Sequence, residues 1–287
     1  MIRSPLRPVL RPVLRSVFGG ARLKGILDQV PGARVALSAF DALISGYSGP
    51  LYDVLRTSDE EEESFTPKQV VDGTLEAFCN DSDGHVVKWY DLSESENHAT
   101  QTVLSIQPRI VVGGELVENG LLFDGRRMSI PNTGNQWTWD TDDFTVLGVI
   151  FPREPRNTWA AVVQQNNPIS NNIGWAVYSA FGANQRVGGR IRDEEGSRDL
   201  NPGVDWTEGQ KTFFAYRRTN TAPGEALKVW QNEVTNTTSQ AASIVLDNTG
   251  VMEIGRGNQD GNFNLKTLLI YPRALTDEEI ELVKGLL

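Results

Sequence analysis

Cysteine, histidine and long apolar runs are scarce in this 287-residue chain, and each shortage excludes a class of protein. The single cysteine, Cys79, has no partner for an internal disulfide, so no covalent staple holds the fold. One cysteine and two histidines cannot supply a Cys/His zinc pattern. No stretch approaches the roughly 18 apolar residues that span a bilayer. Arg3, Arg7, Arg11 and Arg15 break every apolar run that a signal peptide would need. The expectation is a protein made in the cytoplasm, with no membrane partner and no export signal of its own.

Charge of one sign is short in two places. Residues 1–34 hold seven of the 27 basic residues and one of the 37 acidic ones, about +6 against −16 over the rest. Ser4 to Arg15 repeats a Leu-Arg-Pro-Val unit, and Pro8 and Pro12 forbid a helix there. At about 3.1 Å per residue, some 20 residues of such a segment reach roughly 60 Å. The reading is an extended basic anchoring arm over 1–34 that lies across a partner through Arg3, Arg7, Arg11, Arg15 and Phe18, with a disordered terminus as the alternative. Aliphatic rather than stacking aromatic residues between the arginines argue against nucleic acid.

Residues 35–84 read as short helices and loops. Leu37, Phe40 and Ile44 fall on one helical stripe, Thr66-Pro67-Lys68-Gln69 has the form of a capping box ahead of a helix ending near Cys79, and the acidic run Asp59 to Glu63 reads as a solvated loop. Beyond residue 85 the pattern changes to β-rich runs separated by Gly, Pro, Asn and Asp: Val86 to Tyr90, Gly120 to Phe123, Phe144 to Phe151, Trp159 to Val163, Gly174 to Ser179, Val187 to Arg192, Thr212 to Arg218, Leu227 to Gln231, Val251 to Gly255 and Leu265 to Tyr271. Many short strands without helices between them predict a mostly β fold, an antiparallel two-sheet sandwich over 35–287. A last helix is capped by Thr276 with Glu279, stapled by Leu275 and Ile280, and buries Ile280, Val283 and Leu287.

Ser45-Gly46-Tyr47-Ser48-Gly49-Pro50-Leu51-Tyr52, Arg56-Thr57-Ser58-Asp59, Ala77-Phe78-Cys79, Trp89-Tyr90-Asp91-Leu92-Ser93 and Asn97-His98-Ala99-Thr100-Gln101 resemble the opening of the catalytic domain of fungal-type α-L-arabinofuranosidase B. From Leu122-Phe123-Asp124-Gly125 to Ala274-Leu275-Thr276 the chain is similar to the laminin-G-like, concanavalin A-like jelly roll. The composite, preceded by its Pro/Arg repeat, also resembles structural proteins of tailed bacteriophages. These resemblances imply a jelly-roll module on a virion, anchored to other virion proteins by the arm, oligomeric, and exposed to host-surface glycans. A lectin-like receptor-recognition module and an arabinofuranosidase-type hydrolase are the alternatives.

Catalysis does not carry over with the resemblance. The family's nucleophilic glutamate lies in a Gly-Asn-Ala-Glu-type segment that has no equivalent here, since Asp140, Asp142, Asp143 and Glu154 stand in unrelated contexts. The family's second cysteine is also missing after Cys79. No catalytic residue is therefore assigned. Trp137, Trp139 and Trp206, in Asn/Asp-rich surroundings, are candidate sugar-stacking platforms, whereas Trp89, Trp175 and Trp230 fall inside strands and read as core. Asp247, Asn258 and Asp260 have the oxygen chemistry for calcium, with turn formation the simpler explanation. No other cofactor is implied: His85 and His98 lack a nucleophile pattern, and Gly255-Arg256-Gly257 is not a phosphate loop.

Overall fold

A computed structural model describes residues 25–133, 136, 137, 139, 142–155, 157–165, 173–194, 196–221, 224–240, 246, 250–256 and 260–287. The described fold is mostly β, all its strand pairs are antiparallel, and its helices are short.

One series of strands starts at β14 (Ser197–Leu200) and passes to β13 (Gly188–Arg192), β12 (Gly174–Ala180), β11 (Ala160–Gln165), β18 (Met252–Ile254) and β9 (Met128–Ile130). It continues through β5 (Ala99–Thr100) and β4 (Gly84–Trp89) to β2 (Tyr52–Arg56) and β3 (Glu62–Phe65). A second series runs from β17 (Val234–Gln240) through β16 (Gly224–Gln231), β15 (Thr212–Thr221) and β10 (Phe144–Pro152) to β19 (Asn262–Tyr271). The far side of β19 takes β1 (Val35–Ser38) at one end and β8 (Leu121–Asp124) at the other. From β8 the ladder reaches β6 (Arg109–Val112), which pairs with β7 (Glu115–Leu116) and closes on the start of β4. β4 thus belongs to both series: Gly84 and His85 face β6, whereas Lys88 and Trp89 face β5.

Both series feed one hydrophobic cluster. Trp89, Ile130, Val163, Trp175 and Ile191 come from the first, and Val146, Leu147, Phe214, Val229 and Leu269 from the second. β10, hydrogen-bonded on both sides and packed on its faces, reads Phe-Thr-Val-Leu-Gly-Val-Ile-Phe-Pro, a near-continuous apolar run. Its Gly148 is required by contact: a Cβ there would lie 2.0 Å from the Thr267 carbonyl oxygen.

Each of the ten β-rich runs read from the sequence overlaps a strand, and the helix at the C-terminus (α4, Asp277–Leu286) is capped by Thr276 and Glu279 as expected. Ile280 and Val283 are buried as foreseen, while Leu287 is only partly buried against the core. The Thr66–Gln69 capping box opens α2 (Pro67–Val71), α3 (Thr74–Cys79) follows it, and the short α1 (Ile26–Gln29) precedes β1. The stripe Leu37, Phe40, Ile44 is not a helix: Leu37 lies in β1, opposite Leu268 of β19. The available partner edge decided the conformation there, overriding a local periodicity that fits either state. The acidic run is the turn and outer strand of the β2–β3 hairpin, with Arg56 bonded to both Asp59 and Glu61. Ile26, Val30 and Ala33, in the last ten residues of the segment read as the arm, are buried in the common core.

Two predictions follow from this packing. Gly148→Ala should destabilise the protein by at least about 1–3 kcal/mol, because a backbone carbonyl cannot step aside as a side chain can; a denaturant titration reads the loss. In α4, Glu279 accepts two bonds of 2.8 Å from Arg273, which hold its carboxyl below its usual range. A depressed carboxyl contributes stability above its unfolded pKa and loses it as pH falls through the folded value. Glu279→Gln keeps a capping side chain and removes the charge, so it should cost no more than about 1 kcal/mol at pH 7 and flatten the fall in thermal stability below pH 5.

Candidate functional site

Residues directly opposite one another on paired strands point to the same face of a sheet. Along the first series, register places Ser64, Asp53, Lys88, Thr100, Ser129, Glu253, Gln164, Ala176, Arg190 and Asp199 in one row across ten strands. Every member except Ala176 is polar. The row is covered at one end, where Gln164, Ala176 and Arg190 are buried beside Tyr178, Phe181 and the half-buried Trp159. Arg190 is bonded to Asp199 by two nitrogens and lies 4.2 Å from the centre of the Trp159 ring. From Ser64 to Glu253 the row is exposed or half-buried.

On this open half lies a cleft of about 590 Å³. Lys88 and Thr100 belong to its floor, residues 95–98 form one wall, and Pro131, Thr133 and Gln136 form the other. The first wall hangs on Asp91. Its buried carboxylate accepts hydrogen bonds from the Ala36 N–H (2.7 Å), the Ser93 N–H (3.0 Å) and hydroxyl (2.7 Å), and the Asn97 N–H (2.8 Å). Burial pushes the Asp91 carboxyl above its usual range, and those donors oppose the rise. Asn97 locks the two walls together. Its amide donates to the Arg34 carbonyl (2.8 Å), its Oδ1 accepts from Gln136 Nε2 (2.9 Å), and Arg34 donates back to the Gln136 carbonyl (2.6 Å).

The imidazole of His98 is oriented by the same turn. Its Nδ1 faces the Asp91 N–H at 3.1 Å and must accept, which leaves the ring proton on Nε2. Burial, and next the Lys88 charge, push His98 below its usual value, so the neutral ring prevails at pH 7. Tyr90 lies between these groups: its ring centre is 5.0 Å from that of His98 and 4.2 Å from the Lys88 ammonium, and its hydroxyl donates to the Asp53 carboxylate. Burial, and next Asp53, raise the Tyr90 hydroxyl. The cleft therefore presents an ammonium, an imidazole N–H, amides and hydroxyls on a braced frame, which is hydrogen-bonding chemistry suited to a polyhydroxylated ligand.

The acids of the row are poorly placed to act on one glycosidic bond. Asp53 and Glu253 stand four strands apart on the row, as do Glu253 and Asp199, so each pair is separated by about 19 Å at about 4.8 Å per strand. Glycosidase pairs stand about 5–5.5 Å or about 6.5–9.5 Å apart. Of the acids weighed in the sequence, Asp140 lies outside the described residues, Asp143 accepts the Asn220 N–H (2.6 Å) and Glu154 binds Gln185.

The tryptophans read as platforms are interior. Trp137 is fully buried and donates to the Pro131 carbonyl (3.0 Å); Trp139 is buried edge-on to Phe144 (4.8 Å); Trp206 is buried and donates to the Ser179 carbonyl (2.6 Å). An indole with no open face cannot stack on a sugar, and a polar neighbourhood in sequence does not prevent the ring itself from turning inward. Trp89, Trp175 and Trp230 are core, as expected. Arg3, Arg7, Arg11, Arg15 and Phe18 lie outside the described residues, as do Asp247 and Asn258. Asp260 is exposed and uses its backbone carbonyl to accept from Asn157 (2.9 Å). Among the described residues no group of three or more His, Cys, Asp or Glu side chains converges on a metal position. Sequence reasoning passed over Lys88, Asn97, His98 and Gln136, although the Trp89–Ser93 and Asn97–Gln101 motifs pointed to the segment that carries three of them.

That segment also falls within a match to a known family. The family model for the catalytic domain of α-L-arabinofuranosidase B matches residues 30–114. Among solved structures, a GH54 α-L-arabinofuranosidase soaked with a cyclic sulfate inhibitor is similar at a TM-score of 0.66 and 15% identity, over 91% of this chain and 63% of that one. An arabinofuranosidase complexed with arabinofuranosyl-α-1,2-xylobiose gives a TM-score of 0.62 at 15% identity and the same coverage. The chain thus spans less than two thirds of the length of these enzymes. A comparison with curated protein sequences finds no match. At such identity the likeness concerns the fold: this chain shares the β architecture of the arabinofuranosidase structures, and the family model matches it over residues 30–114 alone.

Proposed function

We propose that this protein recognises glycans without hydrolysing them, through the cleft between residues 95–98 and Gln136, and that its basic arm displays the domain on a larger particle. The observation that carries the reading is the cleft itself. Lys88 and Thr100 lie on one face of the sheet, and the two walls are locked by Asn97, so donors and acceptors are fixed before a ligand arrives. Preset polar groups spare the ordering cost that a flexible surface would incur on binding. The kinship with arabinofuranosidase structures supports the sugar chemistry, and the separation of the row's acids weighs against hydrolysis. The strand order is read as a jelly-roll sandwich whose two sheets are the two strand series.

The setting proposed is the surface of a tailed-phage virion. The arm, about +6 in charge, would lie along acidic or strand-edge surfaces of other virion proteins, while the acidic domain faces outward. Several copies on one particle would strengthen weak sugar contacts through multivalency.

Binding is tested with an array of plant and bacterial glycans, followed by calorimetry on the hits. Thr100→Arg, which fills the cleft floor, should reduce affinity at least tenfold while leaving the thermal midpoint within a few degrees. An unchanged affinity would place binding elsewhere, and release of reducing ends from the bound glycan would favour the hydrolase. For the arm, deletion of residues 1–20 should leave the domain folded and abolish incorporation into particles; normal incorporation would remove the anchor from the proposal.

A further inference from the structure

Resting on the glycan reading, we infer that the cleft selects acidic glycans, with a uronate carboxylate seated between the Lys88 ammonium and the His98 Nε2–H. Many cations of this acidic body are paired, among them Arg109 with Asp83 and Asp124, Arg217 and Lys228 with Asp277, and Lys284 with Glu233 and Glu281. Lys88 is half-buried, lines the cleft and forms no ion pair with another described residue. The nearest acid on its row, Asp53, is engaged by the Tyr90 hydroxyl and by Ser64. Tyr90 attracts the ammonium through its ring face and supplies no counter-ion.

His98 provides the second donor. Because Nδ1 is held by the Asp91 N–H, Nε2 is protonated in the neutral ring and offers a hydrogen bond at any pH where the protein is folded. Lys88 and His98 pack against the same tyrosine ring, and both line the cleft. Across the cleft stand Thr133 and Gln136, which match neutral sugar hydroxyls rather than a second charge. Glu96, the acid of the first wall, is exposed and held at φ +52°, and it would repel a second carboxylate placed nearer the rim. A single anionic group per binding register follows, as in a polyuronate whose acids recur along a chain of neutral hydroxyls.

The test uses the full chain, titrated with oligogalacturonides and with neutral arabino-oligosaccharides of equal length. The acidic probe should bind at least tenfold more tightly and weaken as salt is raised, as expected for a half-exposed charge contact. Lys88→Gln should abolish that preference, and Lys88→Arg should restore it; His98→Gln, which retains an N–H donor, should keep most of it. Circular dichroism melts confirm that each variant is folded. Equal binding of both probes by the wild-type protein would overturn the acidic selection and leave the glycan reading standing. Failure to bind either probe would overturn the selection inferred here, while the array decides the broader reading independently.

Discussion

The buried carboxylate of Asp91 is the interaction on which the ligand-facing part of this protein depends. It reaches back to the first described strand through the Ala36 N–H and forward to the turn through Ser93 and Asn97, so one side chain joins segments 55 residues apart in sequence. Burial disfavours its charge, and four donors restore it; removing any of them would leave a carboxylate incompletely solvated. The wall of the cleft, the tautomer of His98 and the tie from Asn97 to the opposite wall all descend from that one arrangement. Polar networks of this kind are stable only when complete, which favours a single geometry for the turn.

Much of the architecture was legible in the sequence wherever burial imposed a pattern. Phe144 to Phe151 and Leu265 to Tyr271 carry apolar side chains on both faces because each strand is central, and runs of that kind stand out. Most strands that escaped notice lie at edges or are very short; β2, paired on both sides by β3 and β4, is an exception. β17 is Val-Thr-Asn-Thr-Thr-Ser-Gln, β14 is Ser-Arg-Asp-Leu, and β3 begins with two glutamates; edge positions admit polar residues on both faces, which erases the period-2 signal. The acids of β3 and its turn have a further physical use, since like charges on an outer strand discourage pairing with another sheet.

The cleft was harder to read because its parts are distant in sequence and individually ordinary. A lysine in a strand, a histidine without a nucleophile and a glutamine beside a tryptophan carry no message until β4, β5 and β9 bring them onto one face. The motifs of residues 89–101 were visible, but what they resembled was a catalytic family, and the useful content proved to be a turn geometry. Conversely, the tryptophans attracted attention by their polar neighbours, whereas the indole N–H groups of Trp137 and Trp206 found backbone carbonyls and allowed the rings to enter the core.

The pairing of β1 with β19 has a consequence for how the chain is made. Val35 lies opposite Ile270, so a strand near the beginning of the described body acquires its neighbour only when residue 270 has left the ribosome. Until then the nascent chain carries an apolar strand, Val-Ala-Leu-Ser, with every residue destined for the interior and no edge to join. Synthesis at about 5–20 residues per second separates the two partners by roughly 12 to 47 seconds. Residues 30–114, though they carry the family match, therefore do not contain the partners needed to complete their own strands, and the domain gains its final order as a whole, late and cooperatively.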